Sequence, residues 1–122
     1  MHTKIDWFEI PSRDFHRAVK FYETVLDTKL RIEQFGDTEI GVFTTDGGDS
    51  IGSVICSERY APNAEGPVLY LNAEPSIATV LARIEPAGGR VKMEKFELPD
   101  GAGFIAHFFD TEGNRLGLHA MA

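Results

Sequence analysis

One cysteine, Cys56, is all that the 122 residues contain. An internal disulfide and a multi-cysteine zinc site are therefore excluded, and a reducing, cytoplasmic setting is the simplest expectation. Long apolar runs are missing too. None exceeds four or five residues, so no membrane-spanning helix is expected and no signal-peptide core is expected after Met1. Clustered basic residues are absent: 12 Lys and Arg are scattered among 19 Asp and Glu, for a net charge of -7. Phosphate backbones would meet general repulsion, so nucleic acid is not an expected partner.

What is present has ordinary globular proportions, with 43% apolar and 25% charged residues. At this length the expectation is a single domain, 1–122. Its pattern is written twice. Alternation over residues 5–10 sends Phe8 and Ile10 to one face and Trp7 and Glu9 to the other. Ser12 or Asp14 then offers a cap, and Phe15, Ala18, Val19, Tyr22, Val25 and Leu26 follow at helical spacing, predicting a helix over 14–26. Strands are expected near 30–35, 40–44 and 51–57. A turn-rich segment, 57–67, separates this module (about 1–60) from a second (about 65–122). There the pattern restarts with Val68, Leu69, Tyr70 and Leu71, a helix over 75–87 ending at Gly88 and Gly89, and strands near 91–96, 104–109 and 115–120.

A shift of 61 lays Phe8 on Leu69 and Glu9 on Tyr70. The helices match at 62, implying one extra residue near Pro75. The expected fold is α+β, two βαβββ modules whose curved mixed sheets carry helices on one side and a concave ligand cup on the other. The cup would display Trp7, Glu9, Val68, Tyr70 and Asn72.

The strings Trp7-Phe8-Glu9-Ile10-Pro11, Arg17-Ala18 with Phe21-Tyr22, Ala87-Gly88-Gly89, and Asp110 through His119 resemble the glyoxalase/bleomycin-resistance/dioxygenase superfamily, the vicinal oxygen chelate proteins. The resemblance spans the chain and implies paired βαβββ modules, a homodimer and small-molecule pockets in the concave sheets. Asp27 stands where such proteins often have glycine. Members with metal chemistry hold a divalent ion through His, Glu or Gln on the first and last strands of each module. Carried over, those positions fall on Trp7, Val68, Gly117 and, by the 61-residue shift, Cys56. Trp, Val and Gly have no ligating side chain and a lone thiolate makes no site, so the usual metal is not expected, nor another cofactor.

Two residues further along each strand lie Glu9, Glu58, Tyr70 and His119. These read three ways: a displaced metal site, an acid/base set, or hydrogen-bonding groups on the rim of a ligand pocket. With the cup aromatics, the expected ligand-binding set is Trp7, Glu9, Glu58, Tyr70, Phe108 and His119. An even hairpin loop, with Asp110 opposite Arg115, puts His107 on the helix side as a structural or subunit-contact residue. His2 and His16 read as solvated, and Cys56 as a small buried hydrophobe. The leading functional reading is a binder of a small organic molecule without the family's usual metal. The alternative is a metal-dependent lyase or isomerase of glyoxalase type using the displaced Glu/His set, and a regulatory protein with a vestigial cup is the third. Catalysis is left open.

Overall fold

A computed structural model describes residues 4–122; His2 lies outside them. The expected order is observed. In the first module β1 (Phe8–Pro11) leads into α1 (Phe15–Val25), then β2 (Arg31–Phe35), β3 (Thr38–Thr44) and β4 (Ser50–Ile55). In the second, β5 (Tyr70–Asn72) leads into α2 (Ile77–Ile84), then β6 (Arg90–Glu97), β7 (Phe104–Phe109) and β8 (Arg115–Ala120). The sheet orders are β1-β4-β3-β2 and β5-β8-β7-β6. In each, the first strand runs parallel to the last and the other pairs are antiparallel.

Asp14, rather than Ser12, caps α1 by accepting from Arg17 N at 3.1 Å, and Ser76 caps α2 by accepting from Thr79 N. The caps are 62 positions apart while Glu9 and Tyr70 are 61 apart, which puts the extra residue between β5 and α2. Asp27 closes α1 with a left-handed φ of 49°, the conformation a glycine would take. Helix α2 is shorter than its sequence pattern suggests, because the residues after Ile84 turn toward the left-handed Gly88.

One cluster of buried residues takes in both modules. Ile10, Phe43 and Val54 of the first sheet and Ala106, Phe108 and Leu118 of the second meet Phe15, Phe21, Tyr22, Ile77 and Ile84 of the helices. Phe21 packs against Phe108 at 6.0 Å between ring centroids. Phe108 is fully buried among these residues, so it belongs to the core side of β7 and not to the cup.

The modules are also tied by the turn between β7 and β8. The buried Glu112 carboxylate accepts from the backbone N–H of Arg13 and Asp14, both at 2.8 Å, at the start of α1. It accepts further from the Arg17 guanidinium at 2.8 and 3.1 Å and from the Thr111 hydroxyl. Asp110 accepts from the buried Tyr22 hydroxyl at 2.6 Å and from the backbone N–H of Glu112 and Asn114. Asn114 donates to the Pro11 carbonyl at 2.7 Å. Burial and the Asp110 carboxylate push the Tyr22 phenol well above its ordinary range.

Burial by itself would raise the Glu112 carboxyl. The Arg17 guanidinium, the Asp14 N–H, the Thr111 hydroxyl and the Arg13 N–H outweigh it and hold the group at about 2, from an ordinary 4.5. A carboxylate depressed by folding stabilises the native state above its unfolded value and loses that contribution as the pH falls through its folded one. Glu112 should therefore contribute on the order of 3 kcal/mol above pH 5, draining away between about pH 4.5 and 2. Urea titrations from pH 7 to 3 should show this loss. Glu112→Gln should cost about 2 kcal/mol at pH 7 and flatten the acid limb; an unchanged pH profile would contradict this account.

Candidate functional site

Strand parity sets the two cup faces. In the first sheet Glu9, Ser53 and Val42 stand side by side on β1, β4 and β3. Ile40, Val42 and Ile55 form a small buried cluster there, apart from the main core. Tyr60, from the segment after β4, donates its hydroxyl to Glu9. Burial and the Glu9 carboxylate push that phenol up to about 12. Ser53 is fully buried and its hydroxyl has no hydrogen-bond partner among the described residues.

In the second sheet the corresponding row is Tyr70, Gly117 and His107 on β5, β8 and β7. A Cβ at position 117 would run into the Tyr70 ring, so that ring lies across β8 and reaches the next strand. There the Tyr70 hydroxyl is 2.7 Å from His107 Nε2. His107 Nδ1 lies 3.1 Å from Arg115 Nε and 2.9 Å from its Nη2. Burial, and after it the Arg115 charge, pull the His107 imidazole below its ordinary 6.5. His119, two residues beyond Gly117, lies 2.7 Å from the Ala102 carbonyl through Nε2.

His107 is thus on the cup side, against the sequence expectation. Phe109, rather than Asp110, pairs with Arg115, so the loop has five residues and His107 stands opposite Gly117. One residue of register moves a side chain to the other face. The signal was local: Asp110 accepting from N–H groups two and four residues ahead is an Asx turn, which adds a residue to the loop. Cys56 also departs from expectation, lying exposed just past β4, while Ser53 holds the place in its sheet that Gly117 holds in the other. The 61-residue shift does not persist to the last strands because the intervening hairpins differ in length.

Between the edge strand β1 and the β5–β8 pair runs a cleft of about 410 Å3. Phe8, Ile10, Val68, Leu69 and Leu116 supply most of its walls, with Glu9 on the β1 side and Arg115 on the β8 side. Of the six expected ligand-binding residues, Glu9 lines this cleft. Tyr70 and His119 lie on the cup face of the second sheet, Trp7 is exposed just before β1, Glu58 is exposed after β4, and Phe108 is in the core. Reading the sequence missed Arg115 and His107.

The sequence model of the Glyoxalase/Bleomycin resistance protein/Dioxygenase superfamily matches residues 4–118. The chain belongs to this superfamily. A glyoxylase-like domain-containing protein of Didymella fabae is 27% identical over 117 residues, covering 93% of this chain and 91% of that protein. The fosfomycin resistance protein FosX of Listeria monocytogenes superposes with a TM-score of 0.73 at 14% identity, over 98% of this chain and 92% of its own. A glyoxalase I mutant of Zea mays gives 0.72 at 19% identity over 94% of this chain, which spans 45% of the maize protein. At these identities the solved structures share the fold.

Among the described residues, the side chains at the positions expected to carry the superfamily's divalent metal do not fit one. Trp7, Val68 and Gly117 offer no donor, and the Tyr70 ring covers Gly117. Glu9 is engaged by Tyr60 and His119 lies beside Ala102. Among the described residues, no three His, Cys, Asp or Glu side chains are grouped to hold an ion.

Ser53 generates a stability prediction. Its buried hydroxyl has no protein partner among the described residues, so Ser53→Ala should leave stability within about 1 kcal/mol of the parent and on the stabilising side. Thermal and urea unfolding of the variant check this. A loss above about 2 kcal/mol would mean that the hydroxyl has a partner.

Proposed function

We propose that this superfamily member, a single domain over 1–122, binds a small amphipathic organic molecule in the cleft between β1 and β8, without the metal typical of its relatives. The carrying observation is the composition of that cleft: apolar walls from β1, β8 and the residues just before β5, with the acids Glu9 and Glu65 and the base Arg115 among its lining. Burial of an apolar body would supply most of the affinity, while Glu9 and Arg115 would orient the polar end. Tyr70 and His119 stand on the adjoining cup face and are not among the residues that line this cleft. FosX of Listeria monocytogenes has been crystallised, as a variant, with Mn(II) and 1S,2S-dihydroxypropylphosphonic acid. Among the described residues of this chain no grouped donors for such an ion are found.

The same reading takes the protein as a cytoplasmic homodimer. Trp7, Ile51 and Phe96 are all at least 40% exposed, and a second copy covering such residues would complete the cups. Among the described residues no helix is long and apolar enough to cross a membrane.

Titration with the neutral probe 2-naphthalenemethanol tests the cleft. Saturable binding at one site per chain is expected by calorimetry. Val68→Trp, which fills the cleft from a half-buried position outside the main core, should weaken it at least about tenfold with the circular dichroism spectrum unchanged. Binding indifferent to that substitution, or none at millimolar probe, would remove the proposal.

A further inference from the structure

Hydrogen-bond direction along Arg115, His107 and Tyr70 is fixed by chemistry. A guanidinium has only donors, and two of its N–H groups point at His107 Nδ1. That nitrogen must present its lone pair, so the neutral ring carries its proton on Nε2. The proton then goes to the Tyr70 oxygen, 2.7 Å away. With its oxygen accepting, Tyr70 keeps its own O–H to donate, and that O–H has no acceptor among the described residues. Tyr70 is 44% exposed on the cup face, on the opposite side of the imidazole from Arg115 and outside the residues that line the cleft.

The charge at the other end is uncompensated. Among the described residues no carboxylate lies within 4 Å of the Arg115 guanidinium, which is half-buried beside a neutral imidazole. Of the two acids that share the cleft lining, Glu9 is engaged by Tyr60 and Glu65 makes no ion pair with Arg115. A partly desolvated cation without a counter-charge is costly unless another molecule supplies the charge. Three of its five N–H groups have no protein acceptor among the described residues, and the side chain lines the cleft.

We infer that Arg115, held in place by His107, is the anchor for an anionic oxygen, and that the molecule taken by the cleft carries a carboxylate. Arg115 supplies the charge and its free N–H groups, and His107, itself fixed by Tyr70 on the far side of the imidazole, positions the guanidinium. Gly117 is part of the device, because only a residue without a side chain lets the Tyr70 ring cross β8. The inference rests on the cleft being the ligand site.

The test compares 2-naphthoate with 2-naphthalenemethanol, which share the ring system and differ in charge. The parent protein should bind the carboxylate at least about tenfold tighter. Arg115→Gln should abolish that preference, and Tyr70→Phe, which leaves the contact between Arg115 and His107 in place, should keep most of it. His107→Gln, which can still accept from Arg115 and donate to Tyr70, should retain most of the preference. His107→Leu should lose it. Nitrogen-15 shifts of His107 give a readout independent of any ligand, with the proton on Nε2 and Nδ1 bare. If the alcohol binds and naphthoate binds no better, or if His107 carries its proton on Nδ1, the donor site is wrong although the cleft reading stands. If neither probe binds, the cleft reading falls and the carboxylate assignment falls with it.

Discussion

The Glu112 carboxylate is the contact on which the rest of the structure depends. It lies in a turn of the second module and accepts four kinds of donor, three of them at the start of the first module's helix. Buried carboxylates are expensive unless every lone pair is engaged, and here they are. Three neighbouring contacts follow from that anchoring: Tyr22 meets Asp110 in the core, Asn114 holds the end of β1, and Arg115 is delivered to the cleft wall. The string from Asp110 to Arg115 is therefore more than a hairpin connection. It is the hinge pin between modules, and it sets where β8 starts relative to β1.

Helical spacing and strand alternation carried most of the architecture. The apolar positions Phe15, Ala18, Val19, Tyr22 and Val25 that predict α1 are its buried face, and its limits shift by one residue at each end. Phe8 and Ile10 turn toward the helices and Glu9 away from them because period two is a property of the chain, independent of partners. Features that depend on other segments were not legible. Nothing local to residues 110–114 says that Glu112 will meet the start of α1 some 98 positions away. Phe108 was placed on the cup and His107 off it, an inversion that one residue of hairpin register produces. The cleft itself arises between strands distant in sequence, so alternation puts Glu9 and Arg115 on the faces opposite the core but does not show that they share a cleft.

The modules share a packing device that they use on opposite faces. In the first, the Phe8 ring lies across Gly52 and reaches Phe43 at 5.5 Å between centroids. In the second, the Tyr70 ring lies across Gly117 and reaches His107 at 5.3 Å. In both cases an aromatic residue on the first strand crosses a glycine on the last strand to touch a ring on the third. The Phe8 version faces the helices and fills core. The Tyr70 version faces the cup, where a hydroxyl and an imidazole take the place of two hydrocarbon rings.

That difference of face bears on why metal chemistry and this chain part company. A first-strand ligand and a last-strand ligand can share an ion only if the space between their strands is open on the cup side. Here that space holds the Tyr70 ring, and the residue beneath it is a glycine with nothing to coordinate. Restoring an acidic side chain at position 117 would first require the ring to leave, which would break the hydrogen bond to His107 and release the Arg115 guanidinium from its present partner. The donor chain and a metal site at this position are thus mutually exclusive packings of the same three strands. As long as the Tyr70 ring crosses β8 above Gly117, there is no room at that position for an acidic side chain.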